Sequence, residues 1–376
     1  MQTTVPKISE DEREAIRQTA AAFCRSARDG TRVLDAMVTA TGYDARVWER
    51  MSRELGFTSL LVPEHLGGLG LGFAEAAIVL TEAGRTLLPS PLLPTLAMTQ
   101  VLVHLRSPSA SELLQKRIAN GASATLAFGE SPFAQTSAEF STRAEDTAGG
   151  AVLSGAKRFV LNGDSADILI VAASSEDGAG LYAVEGTAPG VIRTGQPSLD
   201  QTRRLATVEF EAAPATRLQT GDATAPIGGA EAAMYAENIM LVALAVEAAA
   251  AAQECLERTV EYLKVREQFG RVLGSFQALR HRCAWMAVQV EGALATAQAA
   301  VASIDSPDLE VAAPLARAVC GDAFMFVAGE MIQLHGGIGF TFEHRAHLYF
   351  KRAKSTQLLF GSSDELRQRV GALVGI

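Results

Sequence analysis

Ala206-Thr207-Val208-Glu209-Phe210 is a short β-branched and aromatic run, and together with two similar runs it decides the fold class. The others are Ala151-Val152-Leu153 and Ile168-Leu169-Ile170-Val171, set off by Gly, Asp and Ser. They fall between about Thr125 and residue 215, where the texture of the chain changes. This stretch reads as a small antiparallel β-domain inserted between helical parts.

Working outward, the residues before it read as helix. Ser9 and Glu12 form a capping box ahead of Ile16, Ala20, Phe23 and Ala27 at helical spacing. A second helix carries Trp48, Met51 and Leu55 and stops at Gly56. The glycine-dense Val62-Pro63-Glu64-His65-Leu66-Gly67-Gly68-Leu69-Gly70 lacks the lysine of a phosphate loop and the spacing of a dinucleotide fingerprint, and reads as a turn. Helical patterning resumes from about Phe73 to Leu105, with breaks expected at Pro89, Pro91 and Pro94. After the strands, Ala-rich helices are expected from about Glu231 towards Gln268, from Phe276 towards Ser303 and across residues 310–334. Helices, then strands, then helices make a segregated α+β chain, which excludes an alternating Rossmann arrangement.

With 376 residues, 48% of them apolar and 20% charged, the chain can bury a sizeable core. A net charge of −9 argues against a nucleic-acid binder, because no excess of Lys and Arg is available to neutralise phosphates. The four cysteines, Cys24, Cys255, Cys283 and Cys320, have no metal-type spacing and read as reduced thiols. The acidic start is unlike a secretory signal, and no uninterrupted apolar run of about 18 residues announces a membrane span. A cytoplasmic setting is the expectation.

Three ordered stretches carry a family resemblance that spans essentially the whole chain. They are Lys157-Arg158-Phe159-Val160-Leu161-Asn162-Gly163, then Arg266-Glu267-Gln268-Phe269-Gly270 running on to Ser275-Phe276-Gln277, then Gln333-Leu334-His335-Gly336-Gly337-Ile338-Gly339. The chain resembles the acyl-CoA dehydrogenase family. The resemblance implies an N-terminal helical domain (1–118), a middle β-barrel-like domain (119–222) and a C-terminal four-helix bundle (223–376). It also implies FAD, an acyl-CoA substrate, an electron-transfer flavoprotein as acceptor, and a homo- or hetero-oligomer. Carried over residue by residue, it assigns the FAD pyrophosphate to Arg266, whose guanidinium is a planar, permanently charged fork. Phe269 and Gln277 would line the same groove, Phe159 would lie against the flavin, and Gln333, Gly336 and Gly337 would meet the adenosine half of a neighbouring subunit's FAD. The tail Phe342-Glu343-His344-Arg345-Ala346-His347 reads as a helix start and no metal is assigned.

The chain departs from the family where proton chemistry is expected. The usual base is a Glu in the loop entering the last helix, where this chain has Leu358-Leu359-Phe360-Gly361-Ser362-Ser363. The alternative helix-borne position falls on Met240, followed by Leu241. Neither Phe360 nor Met240 can accept a proton. Of the family's Thr-Glu-Pro-Gly loop only Gly129-Glu130-Ser131-Pro132 remains, and Leu161 stands in place of a flavin-contacting Thr. If the chain has its own base, Glu247 is the candidate, two helical turns beyond Met240 and set among alanines, with Glu365 and Asp364 behind it. The competing expectation pairs Glu247 with an arginine. Three readings stay open: an active acyl-CoA dehydrogenase with a relocated base; a cofactor-binding subunit whose base comes from a second dehydrogenase-like chain; and a monooxygenase or nitroalkane-type oxidase on the same fold.

Overall fold

A computed structural model describes residues 8–28, 32–105, 110–131, 140–147, 150–218, 221–222, 225–226 and 228–376. Pro132 and residues 1–7 of the polar start lie outside these residues. Helices α1 (Glu10–Arg28), α2 (Arg32–Met37), α3 (Ala45–Glu49), α4 (Phe73–Thr86), α5 (Leu92–Leu105) and α6 (Ala110–Ala119) come first. Strands β1 (Ala124–Ala127), β2 (Arg143–Thr147), β3 (Gly150–Leu161), β4 (Ile168–Ser175), β5 (Gly178–Glu185), β6 (Val191–Gln196) and β7 (Leu205–Arg217) follow. Helices α7 (Gly229–Val265), α8 (Gln277–Ala302), α9 (Leu309–His335), α10 (Ala346–Leu358) and α11 (Ser363–Val374) complete the chain. The segregated α+β order is the one expected.

The chain forms two compact units. The first comprises residues 1–16, 34–76 and 89–240, and the second residues 17–33, 77–88 and 241–376. Both α1 and α4 contribute to each unit, and the division of α7 falls after Met240.

In the first unit, Ser9 and Glu12 form the expected reciprocal cap on α1, with Glu12 N–H donating to Ser9 Oγ at 3.2 Å and Ser9 N–H to Glu12 Oε2 at 2.7 Å. The helix of Trp48 and Met51 changes to a π-turn over Arg50–Glu54 before stopping at Gly56, which has φ 66°. Pro94 does not break α5, because it lies in the first turn, where its missing N–H would have no helical acceptor. The sheet runs β1-β4-β2-β3-β7-β5, and β4 also pairs with β5, so the path closes on itself. Most pairings are antiparallel, as expected, with two parallel joins, β1 to β4 and β2 to β4. Leu153, Leu169, Val171, Tyr182, Val208 and Phe210 fill its core.

In the second unit α9 packs against α8, α10 and α11. Helix α7 and the stretch Leu309–Phe340 are long and apolar enough to cross a membrane, although the sequence shows no uninterrupted run. Their apolar windows are 89% and 61% buried within the protein, so they serve as core helices. Cys24, Cys255 and Cys320 are buried in helices, and burial pushes the Cys24 and Cys320 thiols up to about 12, which keeps them protonated and unreactive.

Candidate cofactor and acyl site

Helix α7 ends at Val265, and the chain turns through a hairpin in which Glu267 pairs with Val272 and Gln268 with Arg271. The tight turn puts Phe269 at φ 58°, in the left-handed region, and leaves its ring 88% exposed. Phe276, the N-cap of α8, takes the edge of Phe269 at 6.1 Å and the Arg271 guanidinium over its face at 3.9 Å. Arg266 and Gln277 are both exposed. The Arg266 guanidinium makes no hydrogen bond among the described residues, although its backbone carbonyl accepts from Leu273 N–H at 2.8 Å. The structure thus brings Arg266, Phe269 and Gln277 onto one short segment.

Gln333, Gly336 and Gly337 sit together at the end of α9, all exposed. Gly336 caps the helix at φ 64° and ψ −143°, a region essentially restricted to glycine. A Cβ on Gly336 or Gly337 would meet no heavy atom within 4 Å, so the backbone here faces open space. The end of α9 is tied to the end of α7 by rings. Tyr262 stacks on His335 with centroids 4.4 Å apart, and His335 faces His344 at 4.4 Å. The same tail makes a further ring contact, with Phe342 and His347 in a T-shaped arrangement at 5.1 Å.

Glu247 is 8% exposed and accepts from Arg352 Nη1 of α10 at 2.7 Å. Arg352 is itself 2% exposed. Close packing shapes this spot: a Cβ on Gly84 of α4 would lie 2.8 Å from the Glu247 carbonyl oxygen. Met240 is fully buried. In the loop between α10 and α11, Phe360 has φ 57°. Arg317, buried in α9, donates to Leu359 O at 3.2 Å on one side of Phe360. Asp322 accepts from Ser363 Oγ at 2.7 Å on the other. Glu365 closes a capping box with Ser362, and Asp364 pairs with Arg367 at 3.2 Å, so both backup carboxylates occupy the first turn of α11.

In the β-domain, Phe159 is half-buried with φ 56°, at an irregularity of the β3–β7 register between Lys157 and Val160. The bulge takes it out of the regular pairing. Leu161 is buried, and its carbonyl accepts from Thr125 Oγ1 at 2.6 Å. Motif reading missed one pair here. Lys157 is fully buried, donates to Glu130 Oε1 at 2.7 Å and to Phe128 O at 3.1 Å, and lies 4.2 Å from the Phe140 ring centroid. Glu130 also accepts from Ser141 and Thr142 N–H. Burial alone would raise the Glu130 carboxyl, but the Lys157 hydrogen bond and charge, with the Ser141 and Thr142 donors, hold it at about 2. Burial dominates at the lysine and brings it down to about 8 against the pull of Glu130. The available signal was that Lys157 opens the aromatic motif while Glu130 survives in an otherwise eroded loop.

Residues 10–121 match the acyl-CoA dehydrogenase N-terminal domain and residues 228–374 the acyl-CoA dehydrogenase C-terminal domain. The chain is 34% identical over 364 residues to acyl-CoA dehydrogenase IpdE2 of Mycolicibacterium smegmatis, covering 97% of this chain and 99% of that protein. The chain belongs to the acyl-CoA dehydrogenase family. A variant of the Tcur3481-Tcur3483 steroid ACAD superposes with a TM-score of 0.88 at 27% identity, covering 97% of this chain and 98% of that one. The ChsE4-ChsE5 complex of Mycobacterium tuberculosis has the same fold, with a TM-score of 0.85 at 24% identity over 98% of each chain. The chain is therefore an acyl-CoA dehydrogenase, an oxidoreductase of a FAD-dependent family.

Proposed function

We propose that this acyl-CoA dehydrogenase works in a mixed assembly, binding FAD while a homologous second chain supplies the carboxylate that removes the α-proton of the acyl-CoA thioester. The observation that carries this reading is the Glu247–Arg352 pair. A poised base needs a carboxylate free to take a proton. Glu247 instead meets a buried guanidinium at 2.7 Å, and protonating it would give up that charge pairing. The two positions that carry the base in relatives hold Met240 and Phe360.

The residues of the two rim segments suit a dinucleotide. Arg266 offers an exposed cationic fork to the pyrophosphate, with Phe269 and Gln277 beside it. Gly336 and Gly337 present bare backbone to open space, with Gln333 preceding them, as close approach of an adenosine requires. Phe159 supplies an apolar face to the flavin. When bound, FAD supplies the acceptor for the hydride that leaves the β-carbon.

We extend the reading to three domains, residues 1–118, 119–222 and 223–376, with the matched family regions at either end. The steroid ACAD among the similar structures favours a bulky, polycyclic acyl group on CoA as substrate. An electron-transfer flavoprotein is the proposed acceptor. The test is to produce the chain alone and together with a homologous dehydrogenase-like chain that carries the loop Glu, then record flavin spectra and dye-linked turnover on a panel of acyl-CoAs. Turnover only in the mixed preparation is expected. Full turnover by this chain alone would return the base to it.

A further inference from the structure

We propose that Tyr262, His335 and His344 are positioning residues: their three-ring stack sets the exposed Gly336-Gly337 backbone for cofactor binding. The proposal rests on the FAD reading above and adds what holds that segment in place.

The stack joins three pieces of chain. Tyr262 comes from the last turn of α7, His335 from the end of α9, and His344 from the segment leading into α10. His335 is the middle ring, 4% exposed, 4.4 Å from each neighbour, with interplanar angles of 24° to Tyr262 and 39° to His344. Its Nδ1 lies 2.7 Å from Met331 O, so that nitrogen carries the proton and donates. Tyr262 O–H donates to His335 O at 3.4 Å, bracing the carbonyl just before Gly336. On the far side, Ala346 N–H donates to His344 Nδ1 at 3.2 Å, which orients that ring.

Gly336 needs this support. It has no side chain to pack, and in its glycine-only conformation it is held through backbone, its N–H donating to Gln333 O. The segment continues through Ile338, Phe340 and Phe342, which are 44%, 76% and 81% exposed, while Gly339 between them is buried so closely that a Cβ there would lie 2.8 Å from Ile332 O. Tyr262 also lies one turn before Arg266, and Arg266 N–H donates to Tyr262 O at 2.9 Å. The same residue thus touches both rim segments, His335 through its ring and hydroxyl and Arg266 through its backbone carbonyl.

The stack requires neutral imidazoles. Burial, then the charges of His335, Arg258 and His347, lower His344 to about 4. Burial also lowers His335 against the Met331 hydrogen bond. The charged and titratable groups that act on His344 are Arg258 from α7, His335 from α9 and His347 from α10, and each disfavours a further cation there; Lys351 of α10 does the same for His347. A histidine lowered on folding contributes stability above its ordinary 6.5 that is lost as pH falls through about 4. In the folded protein the His344 ring stays neutral until pH nears 4, so FAD affinity should hold through mildly acidic pH and fall as pH drops through about 4.

The test is fluorescence titration of the FAD-stripped full assembly with FAD, with circular dichroism as the folding control. Tyr262→Leu and His344→Ala should each weaken FAD binding about tenfold, while Tyr262→Phe and His344→Phe, which keep a ring, should stay within about threefold of the parent. His344→Phe should also flatten the loss of affinity as pH falls through about 4. Gly337→Val serves as the control for the cofactor reading. If it weakens FAD while His344→Ala and Tyr262→Leu do not, the stack has no positioning role. If Gly337→Val itself binds FAD like the parent, the cofactor assignment falls and the proposal with it.

Discussion

The interior of the second unit and its rim treat charge in opposite ways. Inside, Glu254 accepts from Arg28 at 3.1 Å, Arg85 at 2.9 Å and Arg258 at 2.8 Å, and Glu247 accepts from Arg352 at 2.7 Å. At the rim, Arg266 makes no side-chain hydrogen bond among the described residues and Phe269 stands 88% exposed. A buried charge must find its partner within the fold, because desolvation without compensation costs several kcal/mol. An exposed one can wait for a ligand. The acidic residue that looks catalytic in sequence, Glu247, is thus paired in the interior, whereas Arg266 and Phe269, proposed above for the cofactor, are exposed.

Four experiments press on that contrast. Arg352→Leu should cost about 3–5 kcal/mol in urea unfolding by leaving Glu247 buried without its guanidinium, and adding Glu247→Leu should recover most of the loss. A loss below about 1 kcal/mol would show that the interior pair is no stronger than a surface one. Arg266→Ala should leave the unfolding midpoint unchanged but weaken FAD binding about 10- to 100-fold, the worth of a charge-assisted hydrogen bond. Unchanged affinity in a direct titration would remove Arg266 from the cofactor site.

Gly336→Ala should destabilise the fold by about 1–3 kcal/mol, because alanine does not tolerate that backbone conformation. A melting curve equal to the parent's would mean that the cap of α9 relaxes freely. The smallest expected effect is on chemistry. In the mixed assembly, Glu247→Gln should change the rate of flavin bleaching by an acyl-CoA less than about threefold, against the hundredfold or more expected for a general base. A hundredfold slowing would make Glu247 the base and reverse the proposed division of labour.

The sequence by itself determined the order of helices and strands, the reciprocal cap of Ser9 and Glu12, and the membership of the family. These depend on local periodicity, capping chemistry and motifs contiguous in the chain. It also marked Arg266, Phe269 and Gln277 as neighbours, since a short hairpin connects them. It could not reveal that Lys157 reaches back to Glu130, that β4 pairs with both β2 and β5, or that Tyr262 stacks on a histidine 73 residues away. The fate of Glu247 turned on the same limit, because Arg352 lies 105 residues further on. Only the packing of α7 against α10 brings that guanidinium to the carboxylate. Whether a buried acid is a base or half of an ion pair depends on what the tertiary structure places within about 4 Å of it.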